Sequence, residues 1–269
     1  MFDSQAIAAL AHNGAIPSPP DLIGRLVRLL ATEDYSAADV AEIVESDSSA
    51  AARVISVANS ALYVGSREAR SVREAVSRLG VRVTRDVVSS HAMRSAFSPR
   101  NGHALKLLKT EWRLSTGVAS LMRQAAQDDR SLGSPDVAYT LGLFHNVGLP
   151  VLICAIRDDQ QVDAMMFYKS ASGHAGVVGG LMARRWYLSE ETYRLALRFG
   201  RARSEDGWQL AECAAYARVV AARALGAAYC IDPDLDGPAF QALTLAQPEI
   251  PRLSALQKSA AALAQAGRL

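Results

Sequence analysis

The chain has little of several things. Its 269 residues include three cysteines, and aromatic residues make up only 6%. Cys154, Cys213 and Cys230 stand singly in apolar surroundings, with no Cys-x-x-Cys pair. An odd, scattered set is no disulfide framework and suits a reducing compartment. The opening MFDSQAIAAL carries an acid and no basic residue ahead of its apolar part, so it does not read as a secretory signal. No uninterrupted apolar run approaches the ~20 residues of a membrane span. These absences predict a soluble, cytoplasmic protein without a membrane role. Alternation of Val, Ile and Thr with hairpin turns is also missing, which argues against sheets.

Alanine and helix punctuation are abundant instead. IPSPPDLIGRLVRLLA sets prolines before a stripe of Leu22, Ile23, Leu26, Val27, Leu29 and Leu30 at helical spacing. Ser36 and Asp47 are good N-caps for the two segments that follow. In SVREAVSRLG, Ser71 and Glu74 predict a capping box, and Gly80 a left-handed stop ahead of VTRDVVSSHAMRSAF. A long amphipathic helix follows from His103, then one capped by Ser134 with Pro135 at its first position, then helical runs at 158–171, 174–186, 189–199 and 207–225. The expected fold is all-α: an N-terminal helical bundle packed on a second bundle, with peripheral C-terminal helices. The expected organisation is a lead at 1–14, a main domain at 15–231 with sub-bundles meeting near residue 100, and an extension at 232–269 set off by the breakers of DPDLDGP.

The net charge of +2 falls short of a dedicated nucleic-acid binder. The charge is unevenly spread, however. Residues 1–52 carry two arginines and eight acids, whereas residues 53–100 carry nine arginines and three acids. Arg67, Arg70, Arg73, Arg78, Arg82 and Arg85 are the densest basic segment and the candidate contacts for a partner or a phosphate. Glu68, Glu74 and Asp86 among them favour a salt-bridged, solvated face.

The stretch LGLFHNVGLP puts His145 beside Asn146 at the end of an apolar helix. LGLFHNVG resembles the histidine–aspartate signature of HD-type phosphohydrolases. More specifically, residues 15 to 230 resemble the HDOD domain, the HD-related output domain of bacterial signalling proteins. IPSPP with LVRLL looks like its opening. ESDSSAAARVISVANSALY, with Asp47, Asn59, Ser60 and Tyr63, resembles its next segment. SVREAVSRLG, ending in Leu79 and Gly80, looks like its next helix. SGHAGVVGGLMARRWYLSEE resembles the stretch that carries a later histidine and a tryptophan helix.

The resemblance implies an all-α fold and a place among regulatory modules. Carried over position by position, it implies a depleted metal set. Leu114 stands where HD enzymes have a first histidine, His145 matches, Asn146 replaces the aspartate, and His174 matches a further histidine. Phe199 and Gly200 stand where relatives have a histidine pair, and Arg218 stands near the final aspartate. Zinc or iron needs three or four donors, and a guanidinium repels a cation. The expectation is therefore no catalytic residue, no metal and no cofactor, with Arg218 turned inward to donate to the Asn146 amide oxygen or a nearby carbonyl. The expected function is a non-catalytic bacterial signalling module that acts on protein partners. The alternatives are nucleotide or nucleic-acid binding through the 67–85 arginines, or a metal-dependent phosphohydrolase using His145 and His174.

Overall fold

Helix starts follow the local chemistry of the caps. In a computed structural model that describes residues 16–30, 35–60, 63, 67–199 and 209–231, Ser36 caps α2 (Ala37–Glu45) reciprocally with Asp39. Asp47 caps α3 (Ser48–Ala58), accepting the amides of Ser49 and Ala50 at 2.9 Å each. Helix α1 (Asp21–Leu30) precedes them behind the proline segment. Ser71 caps α4 (Val72–Ser95) by accepting the Glu74 amide at 3.1 Å. The Glu74 carboxylate does not close the expected box. It accepts the Arg70 amide at 2.7 Å, one residue earlier.

Gly80 stops the helix of SVREAVSRLG, as expected, although not in the left-handed helical region itself. It sits at φ 75°, ψ 161°, inside the span of α4. That backbone region is open almost only to glycine. Two helices meet at this kink within the span of α4, the first ending at Gly80 and the second starting beyond it. Both halves of α4 bury side chains, Ala75, Val76 and Leu79 before the bend and Thr84, Val88 and Met93 after it.

The chain divides into two compact units, one of Pro17–Phe97 and one that continues from Ser98. In the first, α1, α2 and α3 pack on α4 around Leu26, Val40, Val44, Val54 and Val76. In the second, α5 (Gly102–Asp128) is the central element, followed by α6 (Pro135–Phe144) and α7 (Gly148–Cys154). Helices α8 (Ala164–Arg185), α9 (Glu190–Leu197) and α10 (Gln209–Ala224) complete it, with 3-10 turns at Arg130–Leu132 and Ala228–Cys230. Helix α5 packs on α6 and α10, and α8 packs on α7 and α9. No strand occurs among the described residues, and the fold is all-α. The expected lead at 1–14 and the C-terminal extension at 232–269 lie outside the described residues.

Three further expectations are corrected. The runs 158–171 and 174–186 merge into one helix, α8, which begins only at Ala164, because Gly173 costs only about 1 kcal/mol in a helix whose flanks are well packed. Ser134 stands at the N-cap of α6 but makes no side-chain capping bond. The stretch Pro135–Cys154 is long and apolar enough to cross a membrane, with a mean hydropathy of 1.6. It is 83% buried within the protein and broken by the turn at 145–147, so it reads as a core hairpin.

Gly148 and the glycines of GVVGG set how closely helices approach. A Cβ on Gly148 would lie 2.1 Å from the Ala175 carbonyl oxygen, and one on Gly176 would lie 2.6 Å from that of Leu197. Side chains there would push α7 and α9 away from α8. This close packing holds the turn carrying His145 and Asn146 against the interior of the second unit.

Candidate functional site

His145 and Asn146 occupy the tight turn between α6 and α7 and are buried, at 4% and 1% exposure. His145 Nδ1 lies 2.7 Å from the Gly142 carbonyl, which accepts only and so fixes the proton on Nδ1. The Nε2 lone pair is left facing the interior. Burial, and secondly the charge of Arg218, pull the imidazole down to about 3, so it is neutral at ordinary pH.

Arg218 comes from α10 and is 2% exposed. Its Nη2 donates to Glu111 Oε1 at 2.9 Å and to the Cys230 carbonyl at 3.1 Å. Its Nη1 donates to Glu111 Oε2 at 3.2 Å and faces His145 Nε2 at 3.4 Å. The Phe199 ring lies over the guanidinium, 4.9 Å from its carbon. Burial alone would lower the Arg218 pKa, yet the Glu111 charge and its hydrogen bonds carry it above its ordinary value.

Glu111, on α5, is the centre of the network and has no solvent exposure. Tyr168 of α8 donates its hydroxyl to Oε1 at 2.6 Å, and the Asn146 amide donates to Oε2. Asn146 Oδ1 accepts from Ser115, whose hydroxyl also lies 2.8 Å from the Glu111 carbonyl. One carboxylate is thereby held by a guanidinium, a phenol and an amide drawn from different elements. Burial, and then the Glu111 charge, push the Tyr168 hydroxyl well above its usual range. They push the neighbouring Cys230 thiol up to about 12, so neither group ionises in the working range.

Arg218 does turn inward, and it does meet a carbonyl, that of Cys230. It does not donate to the Asn146 oxygen, which accepts from Ser115, because its two terminal nitrogens are directed at Glu111, His145 and the Cys230 carbonyl. Leu114 is fully buried beside the network, while the α5 side chains that join it are Glu111 and Ser115. His174 is half-buried in the interior of α8 and not at a helix start. It lies six residues beyond Tyr168, which turns it roughly 120° around the helix from the tyrosine. Gly200 lies outside the described residues.

A divalent metal does not fit these residues as they stand. Arg218 places a buried positive charge between the Glu111 carboxylate and the His145 lone pair, where a second cation would be repelled. Asn146 supplies a neutral amide, and among the described residues no group of three His, Cys, Asp or Glu side chains is gathered to hold a metal. What the arrangement provides is a closed, charge-balanced knot joining α5, the 145–147 turn, α8, α10 and the 228–230 turn.

The motif residues of the first unit perform a different task. Asn59 caps α3 and reads the backbone of Ala69 in both directions, donating to its carbonyl at 2.9 Å and accepting its amide at 2.8 Å. Arg78 reinforces this clamp with bonds to Asn59 Oδ1 at 3.0 Å, the Ala58 carbonyl at 3.1 Å and the Arg67 carbonyl at 2.6 Å. Ser60 donates to the Val57 carbonyl at 2.7 Å, and the Tyr63 amide donates to the Ser60 carbonyl at 2.9 Å. Leu79 is buried and Gly80 makes the bend. Of the arginine segment, Arg67, Arg70, Arg73 and Arg82 are exposed. Arg73 lies 3.5 Å from Glu45, and the charges of Arg67 and Arg70 help hold Glu74 ionised. Arg78 is spent on the clamp, and half-buried Arg85 pairs with Asp86 at 3.3 Å.

Comparison with known proteins adds the family. The HDOD domain matches residues 16–199, so Arg218 is recruited to the knot from beyond the matched span. An HDOD domain protein from Geobacter sulfurreducens superposes with a TM-score of 0.65 at 20% identity, over 98% of each chain. A protein from Shewanella amazonensis, described as a candidate phosphohydrolase, superposes at 0.63 with 23% identity over 97% of each chain. One from Marinobacter aquaeolei, described as a candidate signal transduction protein, superposes at 0.62 with 20% identity, over 97% of this chain and 61% of its own. The chain matches 36% of the length of a curated relative from Treponema pallidum, at 24% identity over 190 residues. The family match covers more than half of the chain and includes the Asn59 clamp and the Gly80 bend. The chain belongs to the HDOD domain family.

Proposed function

We propose that this chain is a non-catalytic signalling module that works by contact with protein partners. One observation carries the reading: Arg218 stands between Glu111 and His145, where a catalytic cation and an attacking water would need open space. A phosphohydrolase of this type requires an accessible metal with a free coordination position. Here the carboxylate is saturated by donors and the imidazole faces a guanidinium. Family membership and the fold shared with a candidate signal transduction protein support a regulatory role. The fold is equally shared with a candidate phosphohydrolase, and the chemistry of the knot supports the non-catalytic reading.

The exposed arginines of the first unit are the surface we assign to a partner. Partial neutralisation by Glu45 and Glu74 suits docking against an acidic protein face better than tracking a phosphate backbone. The test is capture of partners from the source cells with the wild-type chain and with a variant carrying Arg67, Arg70, Arg73 and Arg82→Ser. A protein that rebinds in purified form, and binds the variant more weakly, supports the proposal. Hydrolysis of a phosphate ester by the wild-type chain, abolished by His145→Ala, would overturn it.

A further inference from the structure

We infer that the outer face of α8 pairs with the same face of a second copy of this chain, the two helices running antiparallel about a two-fold axis between Gly173 and His174. The inference does not rest on the non-catalytic reading, and the surface belongs to the second unit, whereas the arginine segment belongs to the first. Met166, Gly173, Val177 and Leu181 lie within about 80° of one another around the helix axis. All four are exposed, Met166 at 62%, Val177 at 54% and Leu181 at 38%. Leu197 of α9, also exposed and packed at Gly180, widens the strip. A continuous apolar strip of this kind on a helix marks a surface for association.

Gly173 sits in the middle of the strip. Only proline is a poorer helix former than glycine. The glycines at 176, 179 and 180 make room for α7 or α9, but nothing lies within 4 Å of a Cβ built at Gly173. A bare patch there lets a second helix cross closely, since the side chains at the contact set the distance between axes.

The charges select the occupant. An antiparallel copy centred between Gly173 and His174 brings Met166 opposite the other copy's Leu181, Ser170 opposite its Val177, and Asp163 opposite its Arg184. Apolar groups meet, and the acid at the helix start meets the base at its end. A parallel copy would set Asp163 against Asp163 and Arg184 against Arg184, which is repulsive. Asp163 is exposed and uses Oδ1 to cap α8, accepting the Met166 amide at 2.9 Å, while Oδ2 takes no hydrogen bond among the described residues. The exposed Arg184 stacks on the Tyr193 ring at 4.1 Å, which holds it at the end of the strip. One helix face is smaller than a permanent interface requires, so the pairing is concentration-dependent.

The experiment is sedimentation velocity of the full chain over a range of concentrations, followed by cysteine cross-linking. The inference predicts a reversible dimer in wild type. Val177→Glu and Leu181→Glu should each raise its dissociation constant at least about tenfold, with helical circular dichroism unchanged. Within one chain Met166 and Leu181 are about 22 Å apart along the helix, too far for a disulfide. Mild oxidation should therefore give a covalent dimer of the double variant Met166→Cys/Leu181→Cys, and of neither single variant nor wild type. A wild type that stays monomeric up to its solubility limit overturns the inference. So does a dimer that both glutamate variants leave intact, or cross-linking by a single variant as efficient as by the double one. A monomeric wild type in which Leu181→Glu hastens proteolysis within residues 232–269 would give the face to the chain's own C-terminal segment, and would equally overturn it.

Discussion

Arg218 and Glu111 are 107 residues apart in the chain and meet at 2.9 Å with both side chains sealed from solvent. A buried pair of this kind is a poor source of net stability but a strong constraint on geometry, because neither partner tolerates loss of the other. Glu111→Gln or Arg218→Met alone should lower unfolding free energy by about 3–5 kcal/mol, the usual cost of stranding a buried charge. The double variant should lose much less than the sum. Urea denaturation of the four proteins gives the coupling energy, and additive losses would show that the pair is not the organising contact.

The His145 imidazole supplies a pH dependence. Its folded pKa is depressed to about 3, first by burial and then by Arg218, from an ordinary 6.5. Between these values the unfolded chain binds more protons than the folded one. Stability from this group is therefore complete above about pH 6.5 and lost as pH falls toward 3, at up to ~1.4 kcal/mol per pH unit. From pH 7 to pH 5 the wild type should lose about 2 kcal/mol more than His145→Gln. Denaturation curves at the two pH values check this, and parallel losses would contradict it.

Gly80 should resist substitution for conformational reasons alone. Nothing lies within 4 Å of a Cβ built there, so an alanine meets no steric obstacle beyond its own backbone at φ 75°. Gly80→Ala should cost about 1–3 kcal/mol. Gly102→Ala, equally free of neighbours but without a positive φ, should be neutral or stabilising by up to ~1 kcal/mol. Thermal melts of the pair decide whether strain at residue 80 is the cause.

The Asn59 clamp makes a local prediction. Asn59→Asp keeps the acceptor for the Ala69 amide and the Arg78 guanidinium but loses the donor to the Ala69 carbonyl. Asn59→Ala loses all three. Leaving half-buried backbone groups unpaired costs about 1–3 kcal/mol each. Hydrogen exchange at the Ala69 amide should rise sharply in the alanine variant and little in the aspartate variant. Equal exchange in both would remove Asn59 from the clamp.

Helix positions were largely legible because Ser36, Asp47 and Ser71 act on amides two or three residues away, which a short window captures. Gly80 was legible as a stop, but Gly173 was not, since a glycine signals a stop or nothing according to what its flanks bury. At the site, His145, Asn146 and Arg218 could be placed in order along the family pattern. Glu111 was missed because a single acid on a long amphipathic helix ordinarily faces water. Its signal was present all the same: Glu111 shares an i, i+4 row with Leu107 and Ser115, inside the apolar stripe, where an acid without a partner does not survive. Tyr168 and Cys230 carried no comparable mark, because an aromatic ring or a thiol in an apolar setting is ordinary core.

The central claim is that the space between Glu111 and His145 belongs to Arg218 and not to a metal. The most direct measurement is the metal content of the wild-type chain after equilibration with equal concentrations of iron(II), manganese(II) and zinc(II), followed by gel filtration. The account predicts metal far below one equivalent, unchanged in His145→Ala. Close to one equivalent, lost in His145→Ala, would contradict it.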